Sequence, residues 1–399
     1  MKKETTKLKL ILYATGHFFW RWLKNPLIIG NHAVNAYRLI KEGGVKKLSD
    51  AVFRQYLPKK YLLKTKINLK TPSSSIHSKL KTSIDSEINP VAEKNPHEVS
   101  TKIKILFVRS GALGDVLLTT PIIKKLFTRY DGLCSITVAT RYPDIFKNNP
   151  YVRKVISIRD LRKLEEAYDF ILDLDFCYEK NRGLHITEAY NFFTFGTDSS
   201  KDNLQPEIFS TSEDRRIVEV FLKNIGEPFI VCHNRVDPTQ PYRNVPPTQW
   251  ADLIRALKTK TGMKIIQIGN KDMDVIVGDE KERLIDARDL FSLQQVKELI
   301  SHATLFLGTD AGPLHIAATT QTPIVSFFSI AHHKLRMPLR DPNCYFKPIT
   351  PQIDCYGCQS NFSAMDPWHC KRGDYACTSS FDTNQALEAC LSVIQGTGN

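Results

Sequence analysis

The chain has 399 residues, 42% of them hydrophobic and 24% charged. It therefore has enough apolar material for two ordinary cores and too little charge for wholesale disorder. Residues 1–100 hold 19 Lys and Arg against 7 Asp and Glu, so +12 of the net charge of +13 lies there. This split disfavours a nucleic-acid enzyme with a basic catalytic face. It favours an N-terminal segment that meets an anionic surface, with membrane phospholipid ahead of nucleic acid.

Residues 1–66 are predicted to form a basic, amphipathic, membrane-associating extension. The uncharged run Leu10–Trp20 is well short of the roughly 20 residues that a spanning helix needs, and no small-residue cleavage site follows it. We favour an interfacial helix on an anionic leaflet, and a helix that packs on the body is the alternative. Residues 67–101 have no aromatic residue and are rich in Ser, Thr, Pro, Lys and Asn, as is typical of a flexible linker. Buried-looking cysteines in apolar runs indicate a reducing, cytoplasmic compartment.

Beyond the linker, apolar runs alternate with amphipathic stretches, which predicts an α/β fold. Helices are predicted at about 247–261 and 292–302. The predicted strands are Lys104–Arg109, Ser135–Arg141, Asp169–Asp175, Phe229–His233, Met263–Gly269, Thr304–Gly308 and Pro323–Phe328. We expect two Rossmann-like, doubly wound domains at 102–225 and 226–378, followed by a C-terminal helix within 379–399. Ligands bind beyond the carboxyl ends of such strands, so the loops after Arg109 and Gly308 are the candidate sites.

The loop after the first strand reads Ser110-Gly111-Ala112-Leu113-Gly114-Asp115. Gly111 and Gly114 permit a tight turn with close backbone approach, but their spacing is not that of a dinucleotide fingerprint. Asp115 either caps the following helix or acts as a general base towards a hydroxyl. Both interpretations stay open on the sequence alone.

The second loop, Leu307–His315, joins a strand to a helix that begins near a proline. Small side chains at Thr309, Ala311 and Gly312 leave room for a diphosphate near the backbone N–H groups, and Asp310 is placed to accept bonds from sugar hydroxyls. His315 is interpreted first as a core histidine that faces the other domain and has its hydrogen bonds satisfied by a partner, ahead of a direct catalytic role.

Four C-terminal cysteines have a spacing that fits a tetrahedral thiolate site for zinc or iron: Cys355, Cys358, Cys370 and Cys377. The alternative is reduced or pairwise-oxidised thiols. Four thiolates would leave no open coordination position, so a metal held here would be structural. Cys390 is expected to pack within the final helix. Asp173-Leu174-Asp175 looks like the DxD signature of metal-dependent transferases, but it lies in an apolar strand and is interpreted as strand-end or acceptor-side carboxylates.

The chain resembles the heptosyltransferases of glycosyltransferase family nine. The resemblance rests on KILFVRSGALGDVLLTTPIIKKL (104–126), on the segment Tyr242–Pro246, and on LFLGTDAGPLHIAATTQTPIVSFF (305–328). It implies the GT-B architecture, in which two Rossmann-like domains face each other across a cleft, the C-terminal one binding the donor and the N-terminal one the acceptor. Inverting transfer of heptose from ADP-heptose is the implied activity, with no metal required for the chemistry.

Carried over by residue, the resemblance makes Asp115 the base and places Thr309, Asp310, Ala311 and Gly312 at the donor, with His315 beside them. Arg243 stands where the family usually has a lysine that faces the donor phosphates; arginine keeps the charge but replaces a point contact with a planar fork. Related transferases often carry cysteines near the C-terminus, and a subgroup with an iron-bearing finger glycosylates autotransporter proteins. Residues near the implied acceptor either face a charged sugar or are structural: His185, Glu188 and Tyr190.

The expected partners are therefore ADP-heptose, a Kdo-lipid A or heptosylated core acceptor, and the anionic inner leaflet, with no nucleic acid. The expected location is cytoplasmic, on the inner face of the inner membrane. Two alternatives remain open: a protein O-heptosyltransferase that modifies an autotransporter, and a non-catalytic, nucleotide-binding scaffold of envelope synthesis.

Overall fold

The computed structural model describes most of the chain beyond residue 102. The described residues are 103–130, 132–175, 177–180, 183–196, 203–226, 228–234, 243–271, 284–358, 370 and 372–396. The predicted extension (1–66), the predicted linker (67–101) and Tyr242 lie outside the described residues. Within the described ranges, no helix combines the length and the apolar character needed to cross a membrane.

The first sheet has four parallel strands in the order β3-β2-β1-β4. Its strands are β1 (Ile103–Arg109), β2 (Cys134–Thr140), β3 (Lys154–Ser157) and β4 (Phe170–Asp173). β1 is central and almost wholly buried, which is why Ile105–Val108 form a continuous apolar run rather than an alternating pattern. Its helices are α1 (Leu113–Leu117), α2 (Thr120–Arg129), α3 (Cys177–Lys180), α4 (Ile186–Phe195) and α5 (Ser212–Ile225), with 3₁₀ turns at Pro143–Phe146 and Ile158–Lys163.

The second sheet has six parallel strands in the order β10-β9-β8-β5-β6-β7. Its strands are β5 (Phe229–Cys232), β6 (Lys264–Gln267), β7 (Leu284–Asp286), β8 (Leu305–Thr309), β9 (Ile324–Phe327) and β10 (Phe346–Ile349). Counted from β5, the spatial order is 3-2-1-4-5-6, the order of a doubly wound dinucleotide-binding sheet. Its helices are α6 (Pro247–Thr261), α7 (Leu293–Ser301), α8 (Gly312–Ala317), α9 (His333–Arg336) and α10 (Thr383–Ile394), with a 3₁₀ turn at Ala376–Thr378.

The predicted α/β class and paired doubly wound sheets are confirmed. Each strand and helix predicted beyond residue 102 is present, with ends shifted by a few residues. The expected boundary between residues 225 and 226 falls in the connection between α5 and β5, and it stays a prediction. α10 packs on the second core, where Cys390 is fully buried as expected.

Local signals fix the starts of several helices. Thr211 caps α5: its side chain accepts a hydrogen bond from the Asp214 backbone N–H, and the Asp214 carboxylate accepts one from the Thr211 backbone N–H. Ser292 and Gln295 form the same reciprocal cap on α7, and Asp382 caps α10. These caps satisfy N–H groups that a helix start would otherwise leave without partners, so each helix begins at a defined residue.

Candidate active site

The site begins at the two places where strand order reverses. In the first sheet β1 and β4 are neighbours, and in the second β5 and β8 are neighbours. Ligands bind at such switch points in doubly wound sheets. The loops after β1 and β8 continue into the short helices α1 and α8, which pack directly against each other. The two candidate loops predicted from the sequence therefore meet.

The α1–α8 contact requires two glycines. A Cβ added to Gly114 would collide with Cδ2 of His315 and lie 3.0 Å from its Nε2. A Cβ added to Gly312 would lie 2.9 Å from Cδ2 of Leu113. Each helix therefore presents a glycine to a side chain of the other, and this brings Asp115 and Asp310 to the same region.

Asp115 is both a cap and a site carboxylate. Its Oδ2 accepts a hydrogen bond from the Ala112 backbone N–H (3.0 Å) and lies 3.2 Å from Nη2 of Arg109. Its Oδ1 lies 3.7 Å from Nη1 of Arg336. Burial acts to raise the pKa of Asp115, but the two guanidinium groups, the Ala112 N–H and His315 outweigh it and the pKa is lowered. The carboxylate is therefore ionised and ready to accept a proton at neutral pH.

Gly111 makes the Arg109–Asp115 pair possible. A Cβ at this position would lie 2.5 Å from Asp115 Oδ2 and 2.8 Å from Arg109 Nη2. Because those atoms form a buried ion pair, they have little room to move aside. The glycine expected from turn geometry is thus required by the close approach of the charged pair.

Arg109 is held firmly beneath the loop. Its Nη1 donates to the Leu174 carbonyl oxygen (3.0 Å) and lies 3.5 Å from Oδ1 of Asp175. Its guanidinium sits 5.3 Å from the ring centre of Tyr178 and 5.4 Å from that of Tyr190. Sequence reasoning did not single out Arg109 as a site residue, although a charge at the end of a buried apolar strand is a detectable signal.

The Asp173–Asp175 pair has a structural role here. Asp175 accepts from the Ser110 backbone N–H (2.7 Å) and from Ser110 Oγ (2.5 Å), while its own N–H donates to Oδ1 of Asp173 (3.0 Å). These bonds tie the end of β4 to the loop after β1. The interpretation as strand-end carboxylates agrees with this geometry.

On the second sheet, Arg243 and Asp310 form a partly buried ion pair. Arg243 Nη2 donates to Oδ2 of Asp310 (2.7 Å) and also to the Asp310 carbonyl oxygen. The Asp310 N–H donates to the Phe327 carbonyl (2.9 Å), which joins the loop to β9. Arg243 therefore lies beside the predicted donor loop, and in the observed arrangement it holds that loop in place. Ala311 is the N-cap of α8, which begins at Gly312.

Two buried polar atoms at this loop have no hydrogen-bond partner among the described residues: Thr309 Oγ1 and His315 Nδ1. Burial lowers the pKa of His315 to about 4, opposed by Asp310 and Asp115 and assisted by Arg336 and Arg243. His315 thus faces the other sheet as expected, but its Nδ1 has no hydrogen-bond partner among the described residues. Such orphaned groups indicate a place for a polar ligand.

Arg336 and Tyr178 are site residues that sequence reasoning missed. Arg336 ends α9, a short helix after β9, and its guanidinium lies 4.8 Å from the ring centre of Tyr178. The carboxylates of Asp115 and Asp310 raise the pKa of Arg336, and so does Tyr178, although burial opposes them. A charged segment following the carboxyl end of β9 was the available signal.

The residues near the expected acceptor side are largely structural. His185 caps α4 through Nδ1, which accepts from the Thr187 N–H (3.1 Å), and its Nε2 donates to the Met337 carbonyl (2.7 Å). Burial lowers the pKa of His185 to about 4. Glu188 accepts from the His185 N–H (3.1 Å), and Tyr190 is buried beneath Arg109.

The four C-terminal cysteines lie near one another. Burial raises the pKa of the Cys377 thiol to about 12, and the neighbouring thiols of Cys358, Cys370 and Cys355 add to this. However, the described part of the chain contains no group of three or more His, Cys, Asp or Glu side chains placed to hold a metal ion. The thiols suit zinc or iron in kind, but as described they are not arranged as a ligand set.

Comparison with known proteins places this geometry in a family. The profile of glycosyltransferase family 9 (heptosyltransferase) matches residues 162–369, just over half of the chain. The curated protein "Lipopolysaccharide heptosyltransferase 3" of Escherichia coli is 29% identical over 96 residues, which are 23% of this chain and 28% of that protein. The chain thus matches less than a third of the length of that relative.

Two solved structures share the fold. That of E. coli ADP-heptose lipopolysaccharide heptosyltransferase II is 15% identical, with a TM-score of 0.54 over 74% of this chain and 99% of that one. That of the iron-containing dodecameric glycosyltransferase TibC from enterotoxigenic E. coli is 16% identical, with a TM-score of 0.55 over 74% of this chain and 77% of that one. The loops after β1 and β8 meet at the junction of two doubly wound sheets, and the family profile matches more than half of the chain. The chain therefore belongs to glycosyltransferase family 9, the heptosyltransferase family.

Proposed function

We propose that this protein transfers heptose from ADP-heptose, with inversion, onto the inner core of lipopolysaccharide or lipooligosaccharide. The observation that carries the proposal is that the α1–α8 contact brings Asp115 close to the loop after β8, in which Asp310 pairs with Arg243. This places an ionised carboxylate from one sheet beside the predicted donor loop of the other. The names of the relatives, a lipopolysaccharide heptosyltransferase 3 and an ADP-heptose heptosyltransferase II, support the choice of sugar and acceptor.

In the proposed reaction Asp115 accepts the proton of an acceptor hydroxyl while that oxygen attacks the anomeric carbon of the donor. The bond between the anomeric carbon and the β-phosphate oxygen breaks on the opposite face, and its electron pair leaves with ADP. Attack from the opposite face inverts the configuration. Arg243 supplies positive charge near the departing diphosphate, and Asp310 and His315 contact the donor.

The lowered pKa of Asp115 suits the first step in one respect and opposes it in another. It keeps the carboxylate ionised at neutral pH, but it also makes the carboxylate a weak base. Proton transfer therefore accompanies formation of the new glycosidic bond instead of preceding it.

The experiment is ADP release from ADP-heptose with and without a Kdo-bearing lipid A acceptor, comparing the full chain with Asp115→Asn. The expected result is acceptor-dependent release that falls by at least 10³-fold in the variant while ADP binding is retained. Asp160→Asn, a change at a carboxylate on the Ile158–Lys163 turn far along the chain from either loop, serves as the matched control. Equal turnover by Asp115→Asn would reject the assignment of the base.

Two alternatives make different predictions in the same assays. A protein O-heptosyltransferase, favoured by the grouped cysteines, would release no ADP with the lipid acceptor but would add a heptose mass to a co-expressed autotransporter. A non-catalytic scaffold would bind ADP-heptose without turnover with either acceptor.

The proposed location is the inner face of the inner membrane. Each Lys or Arg near an anionic leaflet contributes about 1 kcal/mol of attraction, and residues 1–66 are rich in both. Deletion of residues 1–66 is expected to abolish partitioning into anionic vesicles in a flotation assay. Unchanged partitioning would refute the membrane role of this segment.

A further inference from the structure

Arg336 is the cation that links the two halves of the site. It lies on α9, which follows β9 of the second sheet. Its Nη1 nevertheless lies 3.7 Å from Oδ1 of Asp115, which follows β1 of the first sheet, and its guanidinium lies 4.8 Å from the ring centre of Tyr178. Asp310 is also close enough to raise the pKa of Arg336. One guanidinium group thus faces both the proposed base and the proposed donor loop.

Arg336 is held far less firmly than Arg109. The Arg109 side chain is 5% exposed, whereas that of Arg336 is 21% exposed. The distance from Arg336 to Asp115 exceeds that of a hydrogen bond. Within the described part of the chain, the hydrogen bond of Arg336 is made with Tyr178. A guanidinium has five N–H donors, so most of those of Arg336 remain available to a ligand.

The charged and polar groups that face Asp115 come from several elements, and Arg109 and Arg336 are the cations among them. These groups are Arg109 on β1, the Ala112 N–H on its own loop, His315 on α8, Arg336 on α9 and the buried Tyr190 on α4. Arg109 is fixed by its carbonyl and carboxylate partners, and His315 is buried in the α1–α8 contact. Arg336 is therefore the cation of this group that is free to change partner.

We propose that Arg336 binds the diphosphate of the nucleotide donor and leaves Asp115 when it does so. This inference rests on the proposed function. A diphosphate carries more charge than a carboxylate and presents paired oxygens that match the planar fork of arginine, so it competes well for the group. One cation then serves two steps in turn: it balances the resting base, and it later stabilises the departing phosphate. Its departure also leaves Asp115 a stronger base.

A purely structural tie between the sheets would not need Arg336. His185 Nε2 already bonds the Met337 carbonyl (2.7 Å), and Gln205 Nε2 bonds the Ala318 carbonyl (3.0 Å). At its other end α9 is fixed by Tyr356, whose hydroxyl accepts from the His333 N–H (2.8 Å). Substitution of Arg336 is therefore expected to leave the fold intact.

The test is a double-mutant cycle on ADP affinity, measured by calorimetry on the full chain. Arg336→Gln is expected to weaken ADP binding about tenfold or more, the loss of a charge-assisted contact, and Arg336→Lys to recover part of the loss. Asp115→Asn is expected to tighten ADP binding several-fold in the wild-type background, because it removes the competing carboxylate. In the Arg336→Gln background the same change should have no effect.

The matched control is Lys334→Gln, which removes one positive charge from an exposed position of the same helix and should leave ADP affinity unchanged. Unaltered ADP binding by Arg336→Gln, or equal tightening by Asp115→Asn in both backgrounds, would overturn the inference. So would a defect confined to the KM of the acceptor, which would assign Arg336 to an acceptor anion. Wild-type protein that binds no ADP would overturn the proposed function and this inference together.

Discussion

Replacing Gly114 with alanine tests whether the α1–α8 contact sets the geometry of the site. The new methyl group would collide with Cδ2 of His315 and lie 3.0 Å from its Nε2. The His315 ring is buried in the α1–α8 contact, so we expect it to resist turning aside. Relief therefore requires the two helices, and with them Asp115 and Asp310, to move apart.

The cost follows from two opposing terms. Overpacking of a buried contact costs about 1–3 kcal/mol, and the better helix propensity of alanine offsets up to about 1 kcal/mol. We expect the free energy of unfolding to fall by about 1–2 kcal/mol. We expect a larger effect on turnover, about 10²-fold, because a displacement near 1 Å between reacting groups is enough for such a loss.

The assays are urea unfolding and acceptor-dependent ADP release. Gly183→Ala is the matched control, because a Cβ there meets no atom within 4 Å. Gly312→Ala should be milder than Gly114→Ala, since the atom it meets belongs to the flexible, partly exposed Leu113. Wild-type stability and turnover in Gly114→Ala would refute the claim that this contact fixes the site.

Three further predictions concern stability. Trp250→Ala should lower the free energy of unfolding by about 3–5 kcal/mol in urea, because the fully buried ring packs on Phe327 with 5.3 Å between ring centres; a loss below about 1 kcal/mol would contradict this. Tyr190→Phe should change stability by less than about 1 kcal/mol, because the buried hydroxyl has no hydrogen-bond partner among the described residues while the ring keeps its contact with Arg109; a large loss in urea unfolding would show that the hydroxyl is used. The free energy of unfolding should also fall as the pH drops from about 6.5 to about 4. Burial lowers the pKa of three histidines to about 4 in the folded protein, so the unfolded chain binds protons at a higher pH than the folded one. Each histidine contributes a slope of up to about 1.4 kcal/mol per pH unit. These histidines are His185, His233 and His315. Chemical unfolding between pH 7.5 and 4.5 measures that slope, and a flat profile would contradict the assignment.

The strands predicted from the sequence contain apolar runs, and all of them except the edge strand β4 have a neighbouring strand on both sides. Ile105–Val108 of β1 and Leu305–Leu307 of β8 are continuous apolar runs because both strands are buried inside a parallel sheet. By contrast, β3, β7 and β10 are short, partly exposed strands at or near the edges. Their residues do not form a continuous apolar run, so composition gives no signal for them.

The site shows the same division. Asp115 and the Thr309–Gly312 loop were predicted because glycine-containing turns follow buried strands, a signal contained in each segment by itself. Arg336 and Tyr178 lie in segments far apart in the chain, and their contact exists only because the two sheets meet. No local pattern encodes such a pairing. The double role of Asp115 as cap and site carboxylate likewise became visible only with its partners in place.

The reciprocal packing of Gly114 on His315 and of Gly312 on Leu113 also constrains how the two sheets move. Because α1 and α8 are already at closest approach, any relative motion of the two sheets that preserves their contact is a rotation about that contact. The outer edges of the cleft then travel furthest, while the spacing between Asp115 and Asp310 changes least. In the proposed reaction, substrates would enter and leave through the widening outer edge while Asp115 and Asp310 keep their spacing.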